Sequence, residues 1–166
     1  MNIEKFLGIK EIKEMKRIII LTVFLLMVFF ISSCSKKSDN EIADIAFKNG
    51  DYKKALIFYN KACNSGNIYA CVKLGEIYQQ GIGVLEDYDK AIKFYKFACD
   101  KQDPTACKRI GDLYSENSFN GKDYKKAFVY YNKACDLGEN KSCMMVALFY
   151  LTGTGVKKDI TKAKEI

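Results

Sequence analysis

Histidine and tryptophan are absent from this 166-residue chain, and proline occurs only once. Without histidine the chain lacks the commonest metal ligand of proteins and the usual general base of an active site. No Cys-x-x-Cys pair is present, so the sequence indicates neither a metal site nor a cofactor. Any hydrolysis would need a lysine, tyrosine or carboxylate base. The sequence points to none, which leaves the catalytic residues unknown.

The basic residues are not gathered into one patch. The chain has 27 basic and 20 acidic residues and a formal net charge of +7, and its lysines stand beside acidic residues at the start of each repeated segment. Such mixing is typical of a solvated helix face, so no nucleic-acid partner is expected. Apolar residues make up 49% of the chain, which is enough for the core of one domain.

An apolar run long enough to cross a bilayer is also missing. The run from Ile18 to Ile31 has 14 residues and follows Lys16 and Arg17, whereas a helical span needs about 20. This pattern is typical of a secretory signal peptide, which we predict over residues 1–33. Translation from Met15 would give a more compact signal peptide, so Met15 is a candidate for the true start.

The segment Ile31-Ser32-Ser33-Cys34 resembles the lipobox of bacterial lipoproteins, in which the cysteine is lipidated and becomes the new amino terminus. The resemblance implies a lipid anchor on Cys34, followed by a tether over residues 34–40. Ser35 is not the aspartate that resembles an inner-membrane retention signal, so we expect an outer-membrane lipoprotein of the cell envelope, facing the periplasm. The alternatives are a plain membrane anchor with a free Cys34, and a secreted or periplasmic protein.

Cysteine is frequent, and it recurs at a fixed interval. Six of the seven cysteines form two sets with a 36-residue period, offset by eight residues: Cys63, Cys99 and Cys135, then Cys71, Cys107 and Cys143. Such a period is typical of a solenoid, in which each repeat buries its apolar face against its neighbours. With Cys34 lipidated, six cysteines remain to pair in an oxidising compartment. The repeat favours three disulfides: Cys63–Cys71, Cys99–Cys107 and Cys135–Cys143.

The repeat also predicts helices. Asp51, Asp87 and Asp123 begin equivalent segments, each aspartate suits an N-cap, and apolar residues follow at helical spacing. A second helix is predicted from about Asn67 to Gln80. We therefore predict an all-α fold, a right-handed α-solenoid of 36-residue helical hairpins, each with an intra-repeat disulfide. The expected parts are a capping helix, three complete repeats and the start of a fourth: residues 41–50, 51–86, 87–122, 123–158 and 159–166.

Residues 159–166 would form the first helix of a hairpin without its partner. Because its apolar side chains would then be bare, we expect this helix to fray. We also expect the chain to be either a fragment or a shortened gene product.

The first repeat contains Tyr-x-x-Ala-Cys over residues 59–63 and Ala-Cys-x-x-Leu-Gly-x-x-Tyr-x-x-Gly-x-Gly-Val over residues 70–84. These strings resemble the Sel1-like repeat, a relative of the tetratricopeptide repeat, and the resemblance extends over residues 51–166. With cysteines at both helix ends, the chain is similar to the cysteine-rich Hcp subfamily, whose members are exported and often labelled β-lactamases. Several positions depart from the pattern: Gln102-Asp103-Pro104 replaces the interhelical glycine, Asn117 and Phe119 replace Gly-x-Gly, and Ala147 stands in place of Gly75.

Two strings match motifs of serine β-lactamases: Ser33-Cys34-Ser35-Lys36 and Ser38-Asp39-Asn40. They lie almost side by side within the lipobox and the tether, no Lys-Thr-Gly follows, and Ser33 would leave with the signal peptide. We therefore interpret both as coincidence. The subfamily resemblance nevertheless implies that penicillin-like ligands, or the cell-wall peptides they mimic, bind to the chain.

Helical solenoids present an extended concave surface to ligands, which we expect to be built from the first helix of each hairpin. The candidate ligand contacts there are pairs seven residues apart, on one side of each helix: Lys53 with Asn60, Asp89 with Lys96, and Lys125 with Asn132. Lysine and asparagine donate well to carboxylates and carbonyls, which suits an extended peptide.

Two functions follow from the sequence. The first is a lipid-anchored envelope scaffold that binds a peptide, a protein or a peptidoglycan fragment. The second is a β-lactam-binding or β-lactam-hydrolysing enzyme.

Overall fold

The computed structural model describes residues 14–24, 37–116 and 122–166. Residues 14–24 are helical. None of the helices within these described ranges has both the length and the apolar character that crossing a bilayer requires. Cys34 and the predicted lipobox lie outside the described residues.

The chain divides into two compact parts, residues 1–37 and residues 38–166, and the second part holds the repeats. Its helices follow one another in order: α1 (Asp39–Lys48), α2 (Tyr52–Asn64), α3 (Ile68–Gln80), α4 (Tyr88–Asp100), α5 (Pro104–Ser115), α6 (Tyr124–Asp136), α7 (Asn140–Thr152) and α8 (Ile160–Glu165). Each helix packs on the next, and the described residues contain no strand. The predicted all-α stack of hairpins is confirmed.

The capping helix differs slightly from its predicted bounds of 41–50. α1 begins at Asp39, inside the segment predicted as a tether, because Ser38 and Glu41 form a capping box. The Ser38 N–H donates to Glu41 Oε2 at 2.9 Å, and such reciprocal bonding satisfies amide groups that the first turn leaves free. The helix therefore starts two residues earlier than its apolar pattern indicated.

The even-numbered helices all begin in the same way. Asp51, Asp87, Asp123 and Asp159 are N-caps, and each carboxylate accepts the backbone N–H three residues later at 2.9–3.1 Å. From α4 onward, the lysine at that later position also lies over a tyrosine ring of the preceding odd-numbered helix: Lys90 over Tyr78, Lys126 over Tyr114, and Lys162 over Tyr150. The start of one helix is thereby fixed to the end of the helix before it.

Glycine and tyrosine set the spacing between consecutive hairpins. The rings of Tyr95 in α4 and Tyr131 in α6 are buried, and they lie against Gly75 in α3 and Gly111 in α5. A methyl group at Gly75 would overlap the Tyr95 ring, and one at Gly111 would lie 2.7 Å from the Tyr131 ring. The absence of a side chain at these helical positions lets the neighbouring helix approach closely.

The three predicted disulfides are present: Cys63–Cys71, Cys99–Cys107 and Cys135–Cys143. Each joins an even-numbered helix to the next odd-numbered one across a short turn. The turn contains Gly66 or Gly138 at positive φ, and in the middle repeat Gln102 takes the same left-handed conformation with φ +65°. The replacement of glycine therefore preserves the turn, at a conformational cost of about 1 kcal/mol.

Substitution of Gly111 by alanine should destabilise the fold. A Cβ atom 2.7 Å from the Tyr131 ring forces the helices apart, and overpacking of this kind costs roughly 1–3 kcal/mol. Urea unfolding followed by circular dichroism measures the loss.

The matched control is Ala147→Gly, at the equivalent position of α7, where Ala147 lines an open cavity instead of meeting a tyrosine ring. Its cost should be limited to the helix propensity of glycine, about 0.5–1 kcal/mol. An unchanged or higher stability of Gly111→Ala would contradict the spacing role.

Candidate ligand-binding surfaces

The sequence-predicted ligand residues lie on α2, α4 and α6, a surface that we call the even-helix face. Four of them are exposed: Lys53, Asp89, Lys96 and Lys125. The two asparagines bond within their own helices. Asn60 Nδ2 donates to the Leu56 carbonyl at 2.8 Å, and Asn132 Nδ2 donates to Asp136 Oδ2 at 3.0 Å. No hydrogen bond or ion pair joins any two of these six described residues, and their use by a ligand stays a prediction.

A second surface, formed by α1, α3, α5 and α7, carries a group of polar contacts on its first three helices, α1, α3 and α5, and we call this surface the odd-helix face. In α1, α3 and α5, a carboxylate occupies the same position of the helix. Glu76 and Asp112 are 36 residues apart. Asp44 occupies the corresponding place in α1, since it accepts the Tyr59 hydroxyl at 2.5 Å just as Asp112 accepts the Tyr131 hydroxyl at 2.9 Å.

Three cations lie between these carboxylates. Lys73 contacts Glu76 at 2.8 Å within α3, and Lys108 contacts Asp112 at 2.6 Å within α5. Arg109 reaches from α5 back to Glu76 at 3.6 Å, so the network crosses from one hairpin to the next. All five side chains are between 21% and 39% exposed, and ion pairs that are partly buried are screened less by salt than fully solvated ones.

Tyrosine extends the network toward the amino-terminal end. Asp44 also accepts the Tyr69 hydroxyl at 2.9 Å, which joins α1 to α3. The ammonium of Lys73 lies 5.6 Å from the centre of the Tyr69 ring. In the middle of the stack the buried Tyr95 hydroxyl donates to Gln79 Oε1 at 2.8 Å. Every buried tyrosine hydroxyl of the even-numbered helices thus ends on a polar group of the preceding odd-numbered helix.

The chemistry of the odd-helix face changes at α7. Leu148 replaces the carboxylate, and Met144 and Leu151 replace Lys108 and Ser115 of the previous hairpin. These three apolar side chains are 71%, 47% and 45% exposed for Met144, Leu148 and Leu151, respectively. The face is therefore charged along α3 and α5 and apolar along α7.

The tyrosines of this face remain protonated at ordinary pH. Burial raises the pKa of Tyr95 and of Tyr131 well above the usual value. Around Tyr69, enclosure of the hydroxyl and its bond to Asp44 raise the pKa to about 12. Because a protonated tyrosine is a hydrogen-bond donor and not a base, these groups position their neighbours and do not abstract protons.

Of the two strings that match β-lactamase motifs, the structure describes Ser38-Asp39-Asn40. Ser38 is the N-cap of α1 and Asp39 begins that helix, so this string caps a helix. Ser33 and Lys36 lie outside the described residues. Within residues 14–24, 37–116 and 122–166, no group of three potential ligands is placed to hold a metal ion.

Sequence reasoning missed the odd-helix network, although a signal for it was present. Glu76 and Asp112 share one repeat position, and Lys73 and Arg109 share another. A search for charges of constant sign at constant repeat position would have found both pairs. The contribution of Asp44 was hidden because the loop after α1 is shorter, which takes this residue out of the 36-residue register.

The raised tyrosine pKa values predict a loss of stability in alkali. The unfolded chain releases tyrosine protons near pH 10, whereas the folded chain retains them, so stability is complete below pH 10 and falls as the pH rises from 10 toward 12. Urea unfolding of Tyr95→Phe should show a smaller decline over this window than the parent chain.

Tyr52→Phe, at an exposed position, is the control and should leave the pH dependence unchanged. If Tyr95→Phe and the parent lost stability in parallel, the buried tyrosines would not be the cause.

Comparison with known protein families supports this repeat architecture. The family model described as "Sel1 repeat" matches residues 46–67, 68–103, 104–139 and 140–165. The two full-length matches each begin with an odd-numbered helix and end with the following even-numbered helix. This framing is half a repeat out of phase with the sequence-predicted repeats.

Individual relatives match over parts of their length. The Helicobacter pylori protein HcpD, provisionally named a β-lactamase, is 38% identical over 66 residues, which cover 36% of this chain and 22% of HcpD. The chain thus spans about a fifth of that relative.

Two solved structures are also similar. A Sel1 repeat protein from Oxalobacter formigenes has a TM-score of 0.63 and 32% identity, over 76% of this chain and 54% of the other. Helicobacter pylori cysteine-rich protein B has a TM-score of 0.52 and 29% identity, over 69% of this chain and 82% of the other.

Proposed function

The chain belongs to the Sel1 repeat family, and from this membership we propose that it is a scaffold that binds an extended peptide segment of a protein partner along its odd-helix face. In the family's framing, the first helix of each repeat is odd-numbered. Our sequence prediction places ligands on the even-numbered helices, and the choice of α3, α5 and α7 rests instead on the ion pairs of α3 and α5 and the exposed apolar side chains of α7. The residues predicted from sequence on the even-helix face remain the alternative contacts.

The main support is the set of ion pairs along α3 and α5, of which Arg109–Glu76 joins the two helices. Lys73, Lys108 and Arg109 are held by carboxylates of their own or the adjacent helix. Side chains that are already ordered lose little conformational entropy when a ligand binds, which favours affinity. Lys73 and Lys108 are paired within their own helices, and Arg109 links its helix to the preceding hairpin.

The apolar end at α7 restricts the kind of peptide. Met144 and Leu148 would bury apolar side chains of the ligand, and each exposed residue of this kind contributes roughly 1–3 kcal/mol when covered. The polar stretch over α3 and α5 would bind backbone carbonyls and carboxylates. We therefore propose a peptide that is polar or acidic over one part and apolar over the other.

We propose that this scaffold works in the bacterial envelope, anchored through lipid on Cys34. The three disulfides support an oxidising compartment, because cytosolic thiols are kept reduced. An outer-membrane lipoprotein facing the periplasm fits this view, with a secreted or periplasmic protein as the alternative. In either compartment the peptide ligands include the cell-wall peptides that the subfamily resemblance implied.

Fewer observations support the binding of a β-lactam. The provisional name of HcpD and the resemblance to the Hcp subfamily are its grounds. Among the described residues, Ser142 Oγ donates to Glu139 Oε2 at 2.7 Å, but Ser142 is fully buried and is therefore out of reach of a ligand. A β-lactam would therefore occupy the peptide surface as a mimic of a cell-wall peptide, and hydrolysis is not part of the proposal.

Site-specific photocrosslinking tests the scaffold. A benzophenone amino acid at Tyr69 or Met144, both exposed on the odd-helix face, should capture a defined partner in the host cell. The same label at Lys125, on the even-helix face, should capture little. A crosslink at Lys125 without any at Tyr69 or Met144 would assign binding to the residues predicted from sequence and contradict the odd-helix proposal.

Replacement of Cys34 by alanine tests the anchor. Signal processing should stop, and metabolic labelling with a palmitate analogue should be lost, because the cysteine side chain is the acceptor. Cys107→Ala is the control and should keep its lipid. Normal processing of Cys34→Ala with an unchanged amino terminus would exclude the lipoprotein assignment.

A further inference from the structure

Two exposed positions of the even-helix face change their polarity in the middle helix alone. In α2 and α6 the first position is apolar and the second is a lysine. In α4 the lysine comes first and the apolar residue second. The pairs are Ile57 with Lys61 in α2, Lys93 with Phe97 in α4, and Val129 with Lys133 in α6. The two members of each pair are four residues apart, so they lie on the same side of their helix.

The lysine at the second position forms an ion pair with another helix. Lys133 contacts Asp100 at 2.9 Å and thereby joins α6 to α4. Lys61 contacts Asp39 at 3.1 Å and joins α2 to α1. At these places the gap between helices is bridged by charge.

The corresponding place between α2 and α4 has no such bridge. Phe97 stands where Lys133 stands in the next hairpin, and Asn64 stands where Asp100 stands. The space remains open as a cavity of about 310 Å³ lined by Cys63, Asn64, Lys93, Phe94 and Phe97. Phe97 is 41% exposed at its edge.

Lys93 places a charge beside this apolar cavity. Its side chain is exposed, and among the described residues it forms no ion pair. A ligand whose apolar group filled the cavity would bring the groups next to it in the ligand close to this ammonium. A carboxylate is favoured at that place and another cation is disfavoured.

We propose that this cavity is a second docking site, which takes an apolar side chain from a second segment of the partner while an adjacent acidic residue of that segment pairs with Lys93. This inference rests on the proposed scaffold function and adds a contact on the even-helix face. The cavity is large enough to hold a leucine or phenylalanine side chain, and anchor side chains buried in pockets of this kind carry much of the binding energy of an interface.

Titration of defined peptides tests the site. The probe is a short, blocked, glycine- and serine-rich peptide with a central leucine–glutamate pair, and its two analogues carry leucine–lysine or serine–glutamate. Added at millimolar concentration to the 15N-labelled full-length chain, the leucine–glutamate peptide should shift the amide signals of Asn64, Lys93 and Phe97. The signals of Asp100, Val129 and Lys133 should not shift, because the Lys133–Asp100 ion pair occupies the equivalent place between α4 and α6.

Two variants separate the apolar contact from the charge contact. Phe97→Lys combined with Asn64→Asp recreates the Lys133–Asp100 bridge and should weaken binding about tenfold or more, because the apolar anchor is lost. Lys93→Val copies Val129 and should weaken the leucine–glutamate peptide while leaving the leucine–lysine peptide unaffected or improved. Far-ultraviolet circular dichroism checks that each variant is folded.

Several outcomes would overturn the inference. They are the absence of shifts, equal shifts with all three peptides, and equal shifts at the bridged equivalent. Concentration-dependent dimerisation that disappears in the Phe97→Lys, Asn64→Asp variant would instead assign the cavity to a second copy of the chain.

The photocrosslinks at Tyr69 and Met144 do not involve this cavity. Their persistence would show that only the second site is wrong, and their loss would contradict the scaffold itself.

Discussion

The packing of a tyrosine ring over a helical glycine is the constraint on which the rest of the stack depends. Tyr95 over Gly75 and Tyr131 over Gly111 hold each even-numbered helix close to the preceding odd-numbered one. The same approach carries the tyrosine hydroxyls through the core to its polar edge, where Gln79 and Asp112 accept them. The charge network of the odd-helix face is thus built on a packing contact, because the acceptors are in reach only at this helix spacing.

Local chemistry explains how much of the fold was predictable. The period of the cysteines, the aspartate N-caps and the small residues each act within one repeat, so the helices and the disulfides followed from sequence. The turn at Gln102 was less clear, because only the backbone shows that a non-glycine residue adopts positive φ there. The start of α1 at Asp39 depended on a capping box, which its apolar pattern does not reveal.

The binding surfaces were harder to predict, because they depend on which helix faces are neighbours. A sequence repeat has no intrinsic beginning, and a frame starting at Asp51 draws attention to the even-numbered helices. The contact between Arg109 and Glu76 joins residues 33 positions apart and becomes visible only when two odd-numbered helices are seen side by side. Likewise, the cavity at Phe97 is recognised as a departure from the repeat only when it is compared with the equivalent place, where Lys133 forms an ion pair with Asp100. In a repeat protein, departures from the pattern can be as informative as the pattern itself.

The position of the disulfides affects how cooperatively the stack unfolds. In the family's framing each bridge joins the last helix of one repeat to the first helix of the next, as Cys99 in α4 does with Cys107 in α5. A repeat array behaves as a one-dimensional chain of units whose cooperativity comes from the coupling between nearest neighbours. Here that coupling is partly covalent. An oxidised stack should therefore resist local opening at its joints, whereas the reduced chain emerging from synthesis would have weaker coupling and would fold with populated partial states.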